Sequence, residues 1–233
     1  MDKRSIEEIE IYNGSMPELL RMMHSELSHP GFKLLCTINP LIWQRFKYRS
    51  DEYFDRVQTF VCDGIGFARA YPRPIRRITG VDLVSAILSE SSMRIAAIGA
   101  SDEVIKTWTE QNRSRYGADR IVYTHHGYIG ERDSPAIIDA LQQSRPDIIL
   151  VGMGAPKQED LLIRLTNALD YGWGIGVGGS FDVLSGSLNR APVWTQKLGV
   201  EWAYRLIQSP KRLTTLPKLL SFYWEYIVKL GNK

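Results

Sequence analysis

The chain has 233 residues, 44% hydrophobic and 24% charged, with 29 Lys/Arg against 26 Asp/Glu. That balance belongs to a soluble globular protein with a substantial core, in one domain or two closely packed lobes, and excludes a low-complexity or fibrous chain. No stretch approaches the ~20 apolar residues of a membrane span, and the charged start Met1–Glu8 does not read as a signal peptide. Cys36 and Cys62 lie inside apolar runs without zinc-ligand spacing, which suits buried thiols in a reducing compartment. The expectation is a cytoplasmic protein. The charge is unevenly placed: from Ser187 onward eight Lys/Arg face two Glu, a net +6, which leaves −3 for the rest. A basic, aromatic tail on a neutral-to-acidic body points to a polyanionic surface as partner.

In chain order, Phe32–Thr37 reads as a first strand, ending in Thr37-Ile38-Asn39-Pro40, and a helical stretch with Ile42, Trp43 and Phe46 follows. Thr59–Cys62 is a second strand running straight into Asp63-Gly64-Ile65-Gly66. Asp82–Leu88 looks helical. Met93–Ile98 is a strand ending at Gly99-Ala100-Ser101. Helix-like Asp102–Arg115, strand-like Arg120–Tyr123 and helix-like Ser134–Gln143 lead to Ile148–Val151, an apolar β-branched run of the kind buried on both faces. There Gly152 and Gly154 allow unusual backbone conformations or close approach. Pro156 suits the first position of a helix carried by Lys157-Gln158-Glu159-Asp160-Leu161-Leu162. Strand, glycine loop and helix N-terminus together favour an anion, a diphosphate above all, although an ordinary strand-to-helix turn has the same pattern. Gly174–Gly179 reads as a glycine-broken strand and loop. Alternation of strands and helices argues for an α/β fold with a mostly parallel sheet, whose ligands bind beyond the carboxyl ends of the strands. Thr37, Asn39, Asp63, Ser101, the Gly152 loop and the Gly178 loop all fall at such ends.

Among groups able to do chemistry, Asp63 follows an apolar strand with glycines leaving room for a substrate. Partial desolvation there would raise its pKa as a general base requires; an Asx-turn or cap is the competing reading. Thr79 and Asp82 have capping spacing and read as structural. His125-His126 are neighbours on a strand, facing opposite ways without a third ligand, so no metal site is expected. Arg190 and Arg205 have Asp182 and Glu201 within reach for a structural network, or a phosphate to meet. Neither a Walker loop nor a complete dinucleotide fingerprint is present, since no third glycine follows Gly154 at the required spacing.

Six blocks in order carry a resemblance: Thr37-Ile38-Asn39-Pro40, Asp63-Gly64-Ile65-Gly66, Thr79-Gly80-Val81-Asp82, Gly152-Met153-Gly154-Ala155-Pro156-Lys157-Gln158-Glu159, Phe181-Asp182-Val183-Leu184-Ser185-Gly186, and Arg190-Ala191-Pro192 continued by Leu198–Leu206. The chain resembles the WecG/TagA/CpsF glycosyltransferases, family 26 of that classification. The resemblance implies a Rossmann-like core and an inverting transfer from a UDP-sugar (N-acetylmannosamine, its uronic acid or a hexose) to a polyprenyl-pyrophosphate-linked saccharide, for cell-surface polysaccharide, at the inner membrane face. It implies Asp63 as base, Thr37 lining the sugar pocket, and the Gly152–Gln158 loop at the nucleotide end. Asn39, Gly64, Gly66, Gly99, Lys157, Glu159 and Gly178 complete the expected binding set. Arg205, Lys211 and Arg212 fall where the family's C-terminal appendage brings basic residues onto the leaving pyrophosphate; beyond Arg212 the chain departs from the family's pattern.

The resulting expectation is a core over 1–209 and a membrane-associating helical appendage over 210–233. No cofactor or metal is expected, UDP-sugar being a substrate. The partners would be the lipid-linked acceptor and an anionic membrane, not nucleic acid, with homo-oligomers open. In the appendage, Leu216–Leu230 would span about 22 Å as a helix, too short to cross a bilayer and suited to its interface; packing against the body is the alternative. A Rossmann-like oxidoreductase and a non-catalytic membrane adaptor are the rival functions.

Overall fold

The structure is a computed structural model describing residues 4–47, 52–130, 133–192, 195, 204 and 210–228, with backbone alone at 210–212, 227 and 228. Six strands form one sheet: β1 (Lys33–Ile38), β2 (Val57–Cys62), β3 (Ile95–Gly99), β4 (Ile121–His125), β5 (Ile148–Gly152) and β6 (Trp173–Gly176). They are parallel throughout, in the order β2-β1-β6-β5-β3-β4. The central strands β3 and β5 are buried at every residue, whereas the outer strands β2 and β4 are half-buried. That gradient is what helices on both faces impose on apolar runs of this length. Alternate residues feed two cores: Ile149 and Val151 join Trp43, Phe67, Leu162 and Phe222 on one face, while Ile148 and Leu150 join Leu83, Ile87, Trp108 and Phe181 on the other.

The helices are α1 (Met16–Glu26), α2 (Pro40–Phe46), α3 (Glu52–Asp55), α4 (Ile65–Ala70), α5 (Gly80–Glu90), α6 (Asp102–Tyr116), α7 (Ser134–Ser144), α8 (Lys157–Ala168), α9 (Ser180–Leu184) and α10 (Leu216–Tyr223). α1 precedes the strand expected to come first. Its start is a capping box: the Ser15 N–H donates to Glu18 Oε2 at 2.7 Å and the Glu18 N–H to Ser15 Oγ at 3.4 Å. Thr79 caps α5 as its spacing predicts, accepting from the Asp82 N–H at 3.1 Å. Two expectations are corrected. Pro156 is the N-cap of α8 rather than its first residue, and follows a cis peptide bond. β6 is unbroken by its glycines: a side chain at Gly174 would strike Leu162 and Phe32, so glycine lets α8 and the Phe32 ring pack closely there.

The C-terminal segment is two-faced. Leu219 and Phe222 of α10 are buried in the core, the Phe222 ring 6.4 Å from Phe67 and 5.0 Å from Tyr226. A π-helical turn (Trp224–Val228) follows, and Glu225 meets the buried Lys47 ammonium at 2.9 Å. Leu213, Leu220 and Trp224 face outward, Trp224 with 64% of its surface exposed. Phe222→Ala should therefore cost about 3–5 kcal/mol in urea unfolding. Leu220→Ala should stay within about 0.5 kcal/mol of wild type. An unchanged midpoint for Phe222→Ala would show that α10 is no part of the folding unit.

Candidate active site

A cavity of about 440 Å³ opens at the carboxyl edge of the sheet, the size of a small-ligand site. It is walled by the ends of β1, β2, β5 and β6, and roofed by α10. Its lining brings together Thr37, Asn39, Asp63, Gly64, Gly66, Gly154, Pro156, Gln158 and Gly178 from the sequence expectations. Five crossovers separate these residues along the chain; parallel strand direction alone puts them on one edge.

Asp63 leaves β2 with its N–H donating to the Ile38 carbonyl at 2.9 Å and its own carbonyl accepting from Arg77 Nε at 2.8 Å. The backbone is thus held from two sides. The carboxylate Oδ1 accepts a 3.3 Å bond from the Gly80 N–H at the start of α5. Thr37, buried one strand over, donates from Oγ1 to the Gly176 carbonyl at 2.9 Å, tying β1 to β6 under the cavity floor. Asn39 caps α2: Oδ1 accepts from the Leu41 and Ile42 N–H groups at 3.0 and 3.1 Å, so the amide nitrogen is what it can offer a ligand. The bare Cα of Gly66 admits Tyr223, whose hydroxyl lies 2.7 Å from where a side chain would begin. Burial pushes the Tyr223 phenol up, so it stays a neutral hydroxyl at the rim.

In the β5–α8 turn, Gly154 takes φ +74°, a conformation that glycine adopts without cost. Its N–H does not face an open anion site. It donates to Gln158 Oε1 at 3.2 Å, and the same oxygen accepts from the Gly178 N–H at 3.1 Å. The side chain of α8 thus fills the place the glycine pattern predicts for a phosphate oxygen, and this expectation is corrected. Gln158 Nε2 in turn donates to Glu159 Oε1 at 2.7 Å, while Glu159 Oε2 is buried with no hydrogen-bond partner.

Several expected residues stand apart from the lining. Gly99 and Gly152 are architecture: a side chain on Gly99 would run into the Gly152 backbone at 2.4 Å, and one on Gly152 into the Phe181 ring at 2.6 Å. Lys157 is exposed away from the cavity and Glu159 is buried beneath it. Arg205 and the side chains of Lys211 and Arg212 lie outside the described residues. Arg190 pairs with Asp82 at 2.6 Å, and Glu201 lies outside the described residues. The His125 and His126 rings lie 4.4 Å apart, and among the described residues no group of three His, Cys, Asp or Glu is placed to hold a metal. Both cysteine thiols are pushed up chiefly by burial, Cys62 further by Asp63, so neither is a nucleophile.

The sequence reading missed Arg45 at the end of α2, Lys218 in the first turn of α10, and Tyr223. Arg45 and Lys218 give the cavity two cations in a lining that also holds the Asp63 carboxylate. Arg45 lies six positions after Asn39, which puts it in the last turn of the helix that Asn39 caps. That spacing was a usable signal; the return of α10 over the sheet edge was not.

Burial pushes the Glu159 carboxyl up to about 7, against smaller lowering effects from Gln158 and Arg45. Between about 4.5 and 7 the folded protein then holds a proton that the unfolded chain has released, so this group's contribution to stability falls as pH rises through that window. The full difference is about 3 kcal/mol. The expected result is that Glu159→Gln gains stability relative to wild type between pH 4.5 and 7.5 in urea unfolding; a flat difference would mean the folded carboxyl titrates normally.

The family described as Glycosyl transferase WecG/TagA/CpsF matches residues 4–233. The N-acetylglucosaminyldiphosphoundecaprenol N-acetyl-beta-D-mannosaminyltransferase of Bacillus subtilis (strain 168) is 33% identical over 199 residues, 79% of this chain and 76% of its own. The protein of the same name from Staphylococcus aureus (strain MW2) is 32% identical over 189 residues, 78% of this chain and 73% of its own. These matches set aside the oxidoreductase and adaptor alternatives. Six ordered motifs, a parallel sheet with a carboxylate at its edge, and a match across nearly every residue agree: the chain belongs to the WecG/TagA/CpsF family of glycosyltransferases.

Proposed function

We propose that the protein transfers N-acetylmannosamine from UDP to an N-acetylglucosaminyl diphospho-polyprenol, inverting the anomeric carbon. The observation that carries this reading is the make-up of the cavity, whose lining holds one carboxylate, Asp63, together with two cations, Arg45 and Lys218. The names of the relatives, which specify a β-mannosaminyl product on a lipid-linked diphosphate, support the choice of sugar and acceptor. Asp63 takes the proton from the acceptor hydroxyl as that oxygen bonds to the anomeric carbon. The bond to UDP breaks on the opposite face, and its electron pair leaves with the β-phosphate oxygen. A base so placed accounts for about 10²–10⁴-fold in rate. Charge growing on the diphosphate is met by Arg45, Lys218 and the Asn39 amide, in a partly dry cavity where such groups act strongly.

Incubation with a panel of UDP-sugars and a synthetic N-acetylglucosaminyl diphospho-lipid tests the assignment, with product anomer read by NMR. UDP-N-acetylmannosamine should be preferred and the product β; turnover of another sugar alone would overturn the choice of donor. Asp63→Asn keeps an oxygen for the Gly80 N–H and removes only basicity. It should lower kcat by about 10²-fold or more, with UDP affinity and melting temperature near wild type. Near-normal turnover would remove Asp63 from the mechanism.

The acceptor is a lipid, and the outward face of the tail supports docking on an anionic membrane surface. Leu213, Leu220 and Trp224 are exposed, on a segment whose sequence also carries Lys211, Arg212 and Lys218. Among the described residues no helix is long and apolar enough to cross a membrane. The double variant Leu220→Ser, Trp224→Ser should unfold like wild type yet sediment less with anionic vesicles and lose turnover on long-chain acceptor. Unchanged sedimentation would move the membrane contact elsewhere.

A further inference from the structure

Glu159 is a carboxylate in the wrong place for ordinary stability. It is 1% exposed, one oxygen has no hydrogen-bond partner, and no salt bridge holds it among the described residues. A buried acceptor left unmade costs about 1–3 kcal/mol, and an apolar side chain of similar length would fill the space without that cost. What Glu159 does hold is Gln158. With Oε1 facing the N–H groups of Gly154 and Gly178, the amide orientation is fixed, and Nε2 is left to find an acceptor in a region where Gln158 itself is 3% exposed. Glu159 Oε1 at 2.7 Å is that acceptor. Gly176 completes the seat: a side chain there would begin 2.7 Å from Gln158 Nε2.

We infer that Glu159 is a positioning residue acting through Gln158: it locks that amide as a strap between the β5–α8 and β6–α9 loops, and so sets the shape of the cavity wall against which the nucleoside diphosphate lies. The strap joins loops from adjacent strands at Gly154 and Gly178, and both glycines line the cavity with Asp63. Thr37 continues the same wall through its bond to the Gly176 carbonyl. Without an acceptor for Nε2, the Gln158 amide is free to turn, and its oxygen leaves both N–H groups. The two loops then move independently, and the ligand must order them when it binds, at a cost in affinity. The need is for a hydrogen-bond acceptor at this point, not for a negative charge.

The diphosphate half of this inference rests on the proposed glycosyl transfer; the strap itself does not. Glu159→Met fills the space without an acceptor, Glu159→Gln keeps an acceptor without a charge, and Gln158→Leu removes the strap directly. The readouts are melting temperature, UDP affinity by calorimetry, and hydrogen exchange of the Gly154 and Gly178 amides in the unliganded protein. Glu159→Met should melt at or above the wild-type temperature while UDP affinity falls at least tenfold and both amides exchange at least tenfold faster. Glu159→Gln should stay within about threefold of wild type in both, and Gln158→Leu should reproduce the effects of Glu159→Met. Wild-type affinity and exchange in Glu159→Met would overturn the inference, as would a Glu159→Gln protein as impaired as Glu159→Met. A wild-type protein that bound no uridine nucleotide would instead overturn the reading of the cavity, while the amide exchange, which needs no ligand, still decides the strap.

Discussion

Six strands running the same way leave all their carboxyl ends on one edge, and each must be followed by a crossover that returns the chain to the other. Everything chemical in this protein follows from that constraint. Residues 37, 63, 154 and 178 meet because each stands at or just past the carboxyl end of a strand, and the order β2-β1-β6-β5 makes those four strands neighbours. β3 and β4 lie on the far side, and their ends, Gly99 and His125, fall outside the cavity. Apolar side chains cover both faces of the sheet, and Gly152 and Gly174 let the Phe181 ring, the Phe32 ring and Leu162 pack close against it.

The cavity is closed by a segment far away in sequence, and the energetics of that closure are mostly apolar. Phe222 sinks into the core shared by Trp43 and Phe67, Leu219 is buried along the cavity, and Tyr223 lies over Gly66. The Lys47–Glu225 pair adds direction more than strength: with the ammonium buried, its desolvation offsets much of the attraction, but any other seating of the tail would strand a charge. α10 carries Lys218 into the cavity, and the π-helical turn that follows it carries Trp224 out toward solvent. Closing the cavity, supplying a cation and presenting an apolar outer face are consequences of one amphipathic segment.

Much of this was legible in the sequence where a local pattern has one physical solution. The apolar run Ile148–Val151 had to be a central strand, Thr79 and Asp82 had to cap, and Asp63 and Thr37 fell at strand ends whatever the pairing. Ser15 and Glu18 announce α1 just as clearly, followed by the apolar stripe Leu19, Leu20 and Met23 that the helix buries. What sequence could not supply were relations between distant segments. Arg190 had Asp182 and Glu201 as nearby candidates in sequence, and the fold brings it to Asp82, 108 positions away. Gly152 and Gly174 look like backbone hinges, but their lack of a side chain serves Phe181, Leu162 and Phe32, which lie elsewhere in the chain. The roof over the cavity is of the same kind, since nothing local in Leu216–Tyr223 says which surface its apolar face will meet.

The β5–α8 turn shows why a glycine loop before a helix is ambiguous evidence for a phosphate site. Its pattern guarantees available N–H groups, and physics requires only that some oxygen satisfy them. Here the Gly154 N–H donates to Gln158, in the first turn of the helix, and the Gly178 N–H of the neighbouring β6–α9 loop donates to the same oxygen, which makes both loops part of one wall. A diphosphate gains little by competing for them, because displacing Gln158 would leave a buried amide unpaired in exchange for the bonds gained. Neutralising a departing diphosphate therefore falls to groups without such internal partners among the described residues. Arg45 and Lys218 are on helices from opposite ends of the chain, and α10 must be seated for both to line one cavity. Preorganisation of the charge that the reaction needs is thus tied to the seating of the tail, and the glycine loops contribute shape in place of charge.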